Sequence, residues 1–193
     1  MVADPDDAKR ALRTLLRAAR STGDAASLIA RILALSLPDG AVIAGVWPLP
    51  GEPDLVPAWT ALAKRGHPIL LPETTERGQA LRFRRWSPGT PMVSGRFGTL
   101  HPTGEAAVPQ VVFVPLLAWD TSLARLGYGG GYYDRTLQAL QALQALQALQ
   151  GVRAIGFGFE SQRLDRVPVG PYDVRLDAIV TESRVLAGEG VSL

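Results

Sequence analysis

The sequence predicts a single α/β domain with a mixed, mostly parallel sheet and helices on both of its faces. Short apolar runs alternate along the chain with segments of helical periodicity, as in strands joined by helical crossovers. A length of 193 residues, 47% of them hydrophobic, suits one sizeable core. We therefore expect one domain over residues 1–193.

Helices are predicted where apolar residues recur at helical spacing or strong helix formers dominate: 4–20, 24–35, 53–65 and 136–150. Strands are predicted for short apolar or alternating runs: 41–49, 68–73, 81–86, 111–117, 152–159 and 177–182. The run 81–86 alternates apolar and basic residues, which is typical of an edge strand. Residues 87–110 are rich in proline and glycine without a clear period, so we predict a functional or mobile loop.

The segment 136–150 is a low-complexity repeat of Leu, Gln and Ala. A period of three differs from the 3.6 residues of a helical turn, so its leucines are expected to spiral around the helix. We interpret the repeat as an expanded helix, used at most in self-association.

Composition excludes several classes of protein. A net charge of +2 gives little support to nucleic-acid binding, and the absence of cysteine excludes disulfides, thiolate metal sites and thiol catalysis. The first residues, MVADPDDAKR, are acidic and polar, unlike a secretory signal. No apolar run approaches the ~20 residues of a membrane span. We expect a cytoplasmic protein without membrane or nucleic-acid partners, as a monomer or weak homodimer.

The strongest chemical signal is ARLGYGGGYYDR, residues 124–135. Its four glycines lie between the strand 111–117 and the predicted helix 136–150, where backbone N–H groups can approach an oxyanion without Cβ obstruction. Arg125 adds a forked cation, and Asp134 adds a carboxylate suited to Mg²⁺. The spacing fits neither the dinucleotide fingerprint nor a P-loop. A tight turn held by tyrosine packing is the alternative interpretation.

Two further positions support a polar site. Lys9 and Arg13 lie four residues apart on the first helix, so one face could place both on a polyphosphate, although solvated charges are the more common case. Glu52 follows the strand 41–49, and ligands of open α/β sheets bind beyond such strand ends. Alternatively, Glu52 interacts favourably with the dipole of the next helix. Trp47 is either core or pocket wall.

Residues 124–135 resemble the signature of the 5-formyltetrahydrofolate cyclo-ligase family, also called methenyltetrahydrofolate synthetase, RLG-x-G-x-GYYD. Many family members have lysine where this chain has Gly130. Lys9, Leu12 and Arg13 reproduce a K-x-x-LR element that contacts ATP in the family. Asp173 matches a family carboxylate that joins the glycine-loop aspartate at Mg²⁺. Phe97 stands about where members carry an aromatic residue near the substrate, with plain packing as the alternative.

The resemblance implies an ATP-dependent ligase that converts 5-formyltetrahydrofolate to 5,10-methenyltetrahydrofolate and releases ADP and phosphate. Reduced folate and ATP are the implied small-molecule partners, and Mg²⁺ is the implied cofactor. The implied catalytic residues are Arg125 and Tyr132. The implied ATP-binding residues are Lys9, Arg10, Arg13, Arg125, Gly127, Gly129, Gly130, Gly131 and Tyr133. The implied substrate-binding residues are Trp47, Glu52, Tyr128 and Tyr132, and the implied metal ligands are Asp134 and Asp173.

Two other functions remain open at this point. The glycine loop could serve a different nucleotide- or sugar-phosphate-binding α/β enzyme, because a fold does not determine a function. The basic strand 81–86, with its aromatic residues, could instead belong to a non-catalytic RNA-binding protein.

Overall fold

A seven-stranded mixed sheet organises the fold. The computed structural model of the protein describes residues 5–19, 23–147, 151–191 and 193. The helices are α1 (Pro5–Ala19), α2 (Ala25–Leu33), α3 (Val56–Lys64) and α4 (Tyr132–Gln147). The strands of the large sheet are β1 (Ile43–Ala44), β2 (Ile69–Glu73), β3 (Arg82–Trp86), β6 (Val111–Pro115), β9 (Arg153–Phe157), β10 (Ala178–Val180) and β11 (Val185–Ala187). Two small hairpins pair β4 (Met92–Ser94) with β5 (Leu100–Pro102), and β7 (Ala118–Trp119) with β8 (Arg125–Leu126).

The strand order of the large sheet is β11-β10-β9-β6-β1-β2-β3. The five inner strands run parallel to one another, and both edge strands, β3 and β11, are antiparallel to their neighbours. This topology confirms the predicted mixed, mostly parallel sheet and the edge position of 81–86. The ends of the parallel strands therefore meet at one edge of the sheet, where ligands bind in open α/β folds.

Both faces of the inner strands are buried, because successive side chains point to opposite faces. On one face, Ile43, Leu71 and Phe113 pack with α2 and α3. On the other face, Ala44 and Leu70 pack with the first turns of α4. Helices on both faces of the sheet were predicted and are confirmed. Strands buried on both sides have nearly continuous apolar sequences, which explains why runs such as VVFVP were recognisable.

Helix α1 packs on a third, smaller apolar cluster. Leu12 and Leu16 lie against Ala118, Leu126 and Val167, which belong to the β7–β8 hairpin and a loop beside it. The helix is therefore placed over the β7–β8 hairpin, outside the two main layers of the core. This position brings its basic face next to the glycine-rich segment.

Several predicted boundaries were wrong. The glycine-rich segment does not follow the strand 111–117 directly, because the β7–β8 hairpin intervenes and places Arg125 and Leu126 in a strand. Helix α4 begins at Tyr132 instead of residue 136, so Tyr132, Tyr133 and Asp134 form its first turn. The region 87–110 contains the β4–β5 hairpin and is not wholly irregular. Strand β11 was not predicted.

The other elements were placed correctly but are shorter than predicted. The strand 41–49 is reduced to β1, and the helix 53–65 is reduced to α3. Residues 4 and 20, at the ends of the first predicted helix, and residues 148–150 of the repeat lie outside the described part of the chain. Among the helices of the described residues, none has the length and apolarity to cross a bilayer.

The leucines of the repeat spiral away from the core, as their spacing predicts. Leu137 is 1% exposed, whereas Leu146 is 85% exposed. We expect Leu137→Ala to lower the free energy of unfolding by about 2–5 kcal/mol, because it leaves a cavity under α4. The control Leu146→Ala should change it by less than about 0.5 kcal/mol. Urea unfolding of both variants measures the difference, and equal losses would contradict this view of the helix.

Candidate active site

The centre of the site is the glycine loop, residues 127–131, between β8 and the start of α4. Gly129 and Gly131 have φ values of 98° and 65°, a region that L side chains adopt only with strain. The loop therefore needs glycine at these two positions to turn sharply from the hairpin into the helix.

Three arginines bind the carbonyl groups of this loop. Arg13 Nε donates to Gly127 O at 2.9 Å, and Arg17 Nη2 donates to Tyr128 O at 2.7 Å. Arg135 Nη2 donates to Gly130 O at 2.6 Å. These bonds fix the orientation of the three peptide groups whose carbonyls belong to Gly127, Tyr128 and Gly130.

The orientation of the carbonyls also determines that of the N–H groups. Because the described peptide bonds are trans, each following N–H points away from the carbonyl that an arginine holds. Within the described part of the chain, no N–H of residues 128–131 donates a hydrogen bond. The loop thus presents free backbone donors beside the N-terminus of α4, an arrangement that favours an anion.

Two carboxylates lie beside the loop, and each is paired with a cation. Asp134 Oδ1 accepts from Arg125 Nη2 at 2.7 Å and from Val174 N at 3.1 Å. Asp173 Oδ2 accepts from Lys9 Nζ and, at 2.6 Å, from Gly170 N. The bond from Val174 to Asp134 joins the segment that carries Asp173 to the first turn of α4. The structure therefore brings the two predicted metal ligands to the same region.

A cavity of about 150 Å³ opens beside Asp173. Arg125, Gly170, Asp173 and Val174 are among its lining residues, and Asp134 adjoins it through its hydrogen bonds with Arg125 and Val174. A carboxylate with open space beside it and a second one near by fit a Mg²⁺ ion, which takes few protein ligands and completes its shell with water and phosphate oxygens. The described residues contain no cluster of three or more His, Cys, Asp or Glu side chains that could hold a metal alone.

Glu52 forms a second polar site. Its Oε2 accepts from Leu49 N at 2.9 Å, whereas its Oε1 is buried without a hydrogen-bond partner. Burial raises the pKa of Glu52, although the nearby Tyr128 hydroxyl and the Leu49 N–H oppose the rise. An unpartnered buried oxygen of this kind can accept a hydrogen bond from a bound ligand.

Two tyrosines of the glycine segment adjoin Glu52. Burial raises the pKa of both the Tyr128 and the Tyr133 hydroxyl, and the charge of Glu52 raises them further. Both phenols are therefore neutral at physiological pH and available as donors. The Tyr133 ring packs against the core layer under α4, so it supports the site from the core side. Its predicted contact with ATP stays a prediction.

Tyr132, directly after the glycine loop, contacts two other parts of the chain. Its hydroxyl donates to Thr75 O at 3.2 Å, and its ring lies 6.5 Å from that of Phe97. Phe97 is 68% exposed and has a φ of 57°, an unusual conformation for a large side chain. The Phe97 turn and Thr75 therefore both lie against Tyr132.

The structure gathers most of the predicted residues around the glycine loop. Arg10 is an exception, since its ion pair is with Asp7 on the same helix and its side chain is 79% exposed. Trp47 is half-buried and packs against the core layer formed with α2 and α3. The predicted roles of these residues in binding stay predictions.

The site residues predicted from the sequence do not include two of the three arginines on the loop. Arg17 stands four residues after Arg13 and eight after Lys9, so the same helical spacing could have identified it. Its guanidinium also lies 5.8 Å from the centre of the Tyr128 ring. Arg135 directly follows the glycine-rich signature, so a cation beside the loop was visible in the sequence, whereas its backbone partners were not.

Comparisons with known proteins agree on one family. A family model described as the 5-formyltetrahydrofolate cyclo-ligase family matches residues 6–182. The 5-formyltetrahydrofolate cyclo-ligase of Mycolicibacterium smegmatis is 32% identical over 158 residues, covering 75% of each chain. That of Escherichia coli K12 is 32% identical over 143 residues, covering 70% of this chain and 74% of the relative. The solution structure of Aquifex aeolicus 5,10-methenyltetrahydrofolate synthetase superposes with a TM-score of 0.73 at 27% identity, covering 96% and 95% of the two chains.

The raised pKa of Glu52 predicts a pH-dependent stability. A folded-state pKa above the ordinary ~4.3 means that the folded protein holds this proton more tightly than the unfolded chain. Glu52 therefore lowers stability progressively as pH rises from about 4 through its folded pKa. We expect the melting temperature of Glu52→Gln to equal that of the wild type near pH 4 and to exceed it at pH 7. The difference should be about 2–4 °C for each kcal/mol by which the substitution raises the free energy of unfolding.

The measurement is the thermal unfolding of both proteins across this pH range. Glu105→Gln removes an exposed carboxylate and is the matched control. A difference between Glu52→Gln and wild type that stays constant with pH would contradict the assignment.

Proposed function

The chain belongs to the 5-formyltetrahydrofolate cyclo-ligase family, and on that premise we propose that it uses ATP to convert 5-formyltetrahydrofolate to 5,10-methenyltetrahydrofolate. The products released with it are ADP and phosphate. The observation that carries this proposal is the glycine loop, whose carbonyls are held by three arginines while its N–H groups are free. Such a loop suits a polyphosphate.

The chemistry explains why ATP is used. The formyl oxygen of the substrate is amide-like and a poor leaving group, so it must be activated before N10 closes the ring. Transfer of the γ-phosphoryl group to that oxygen converts it into phosphate, which leaves when N10 attacks the formyl carbon. The protein's task is to position the two substrates and to compensate charge.

The residues divide between the two substrates. Lys9, Arg13 and Arg125, with the loop N–H groups, serve the phosphates. Arg125 is 8% exposed and fixed to Asp134, so its charge is held in one place. On the folate side, Glu52 Oε1 offers an acceptor for an N–H of the substrate, and we assign Tyr128, which lies near Glu52, and Tyr132 to the same subsite. Trp47 is assigned to the wall of this subsite.

Asp134 and Asp173 would hold Mg²⁺, which supplies charge compensation to the phosphates when it is bound. In the structure each carboxylate is neutralised by a cation, Arg125 for Asp134 and Lys9 for Asp173. The two acids are connected through the backbone, because Val174, next to Asp173, donates its N–H to Asp134.

Reduced folate and ATP are thus the proposed partners, and we assign the reaction to the cytoplasm. The family model and the relatives described above are cyclo-ligases or methenyltetrahydrofolate synthetases, and they favour neither rival function.

A spectroscopic assay of methenyltetrahydrofolate formation tests the function. We expect product when the protein is mixed with 5-formyltetrahydrofolate, ATP and Mg²⁺, and none when any one component is omitted. Nucleotide binding without any effect of folate would favour a different nucleotide enzyme. RNA affinity that falls steeply with salt, without a response to ATP, would favour the RNA-binding alternative.

The metal assignment is tested by Asp173→Asn. Since the amide keeps the size of the side chain but loses its charge, we expect about tenfold more Mg²⁺ to be needed for half-maximal activity, or about 1.4 kcal/mol. Asp165→Asn, at an exposed position of a nearby loop, is the control. A Mg²⁺ titration unchanged from that of the wild type would remove Asp173 from the metal site.

A further inference from the structure

We propose that Arg135 and Gly130 form one functional unit of the nucleotide subsite, in which Arg135 provides a cation at the glycine loop and Gly130 must lack a side chain to leave room for the Tyr132 ring that the guanidinium contacts. This inference rests on the proposed use of ATP. It assigns Arg135 the role of a positioning residue for the phosphates of a nucleoside triphosphate.

The contacts of Arg135 connect the loop to its surroundings. Its Nη2 donates to Gly130 O at 2.6 Å, and its Nε donates to Gln79 O at 3.2 Å. Its guanidinium carbon lies 5.2 Å from the centre of the Tyr132 ring, within the range of a cation–π contact. One planar guanidinium therefore holds a loop carbonyl, the 74–79 segment and the aromatic ring together.

The bond to Gly130 O has a direct consequence for anion binding. Because the peptide bond between residues 130 and 131 is trans, the N–H of Gly131 points away from Arg135. The bond thus fixes one of the free donors of the loop. It also keeps a full positive charge within hydrogen-bond distance of the loop backbone, where it favours a polyphosphate.

The glycines leave room for this arrangement. A Cβ atom on Gly131 would lie 2.6 Å from Arg135 Nη1, and one on Gly130 would lie 2.8 Å from Tyr132 Cδ2. Any side chain at 130 must therefore displace the Tyr132 ring. That ring is fixed by its hydrogen bond to Thr75 O and by the guanidinium of Arg135.

These contacts predict that the two positions depend on each other. A lysine at 130 would place a cation on the loop itself, but it collides with a Tyr132 ring that Arg135 holds in place. When Arg135 is absent, the ring loses that partner and can move aside. A cation at 130 should therefore be harmful beside Arg135 and helpful without it.

The experiment compares Arg135→Ala, Gly130→Lys and the double variant. We expect Arg135→Ala to raise the KM for ATP and the dissociation constant for ADP roughly tenfold, with a smaller change in the KM for folate. We expect Gly130→Lys alone to weaken nucleotide binding as well. The double variant should bind nucleotide more tightly than either single variant.

Two controls separate this role from a general loss of charge or fold. Arg85→Ala removes an exposed arginine of the edge strand β3 and should leave nucleotide affinity unchanged. Arg135→Lys keeps the charge but cannot hold Gly130 O, Gln79 O and the ring at once, so an intermediate affinity is expected. Melting temperatures of all variants identify any that fail to fold.

The outcomes also distinguish this inference from the proposed function. A wild type that forms methenyltetrahydrofolate, together with an Arg135→Ala variant of unchanged ADP affinity, would overturn the role of Arg135 and leave the function intact. A double variant weakened by the sum of the two single effects would overturn the coupling. A wild type that binds no nucleotide would remove the proposed function itself.

Discussion

The site depends on hydrogen bonds from arginine side chains to the carbonyl groups of the glycine loop. A glycine-rich segment loses more backbone entropy on folding than any other kind of chain, so it does not keep one shape without external contacts. Hydrogen bonds to charged groups contribute roughly 1.5–3 kcal/mol each, enough to offset a large part of that cost. Arg13, Arg17 and Arg135 supply three of them from two different helices.

The hydrogen bonds from Arg13 and Arg17 couple the position of α1 to the conformation of the glycine loop. In the described part of the chain, the apolar contact of helix α1 with the core involves Leu12 and Leu16. Three of its polar side chains, Lys9, Arg13 and Arg17, reach the site itself. The same helix therefore supports the loop structurally and, in the proposed function, supplies positive charge for a polyphosphate.

Two ion pairs lie beside the loop. Lys9 is 5% exposed and pairs with Asp173, and the buried Arg125 pairs with Asp134. Buried ions without partners would cost several kcal/mol each, so the pairs allow the site to keep these four charges in a folded protein. The loop arginines Arg13, Arg17 and Arg135 bind carbonyl groups, so they add positive charge, which suits the nucleotide of the proposed function.

The sequence was sufficient to predict the fold class and the glycine loop at the centre of the candidate site, for identifiable physical reasons. Strands buried on both faces give continuous apolar runs, and the glycine cluster is visible without any structure. The β7–β8 hairpin was missed because strands of two residues carry no periodicity. Arg17 was missed because a single arginine on an amphipathic helix is usually solvated, and the partners of Arg135 could not be predicted because every residue offers the same backbone carbonyl. What the sequence lacked was the pairing of side chains with particular carbonyls.

Tyr128 shows why such pairings matter for the reaction as a whole. Its carbonyl is held by Arg17, on the side of the loop proposed for phosphate, while its hydroxyl faces Glu52 and opposes the rise in the pKa of that carboxyl. A shift of the loop backbone therefore moves a donor of the proposed folate subsite as well. Since phosphoryl transfer requires both substrates to be aligned, a residue in contact with both proposed subsites would let an ordered loop position the two substrates together.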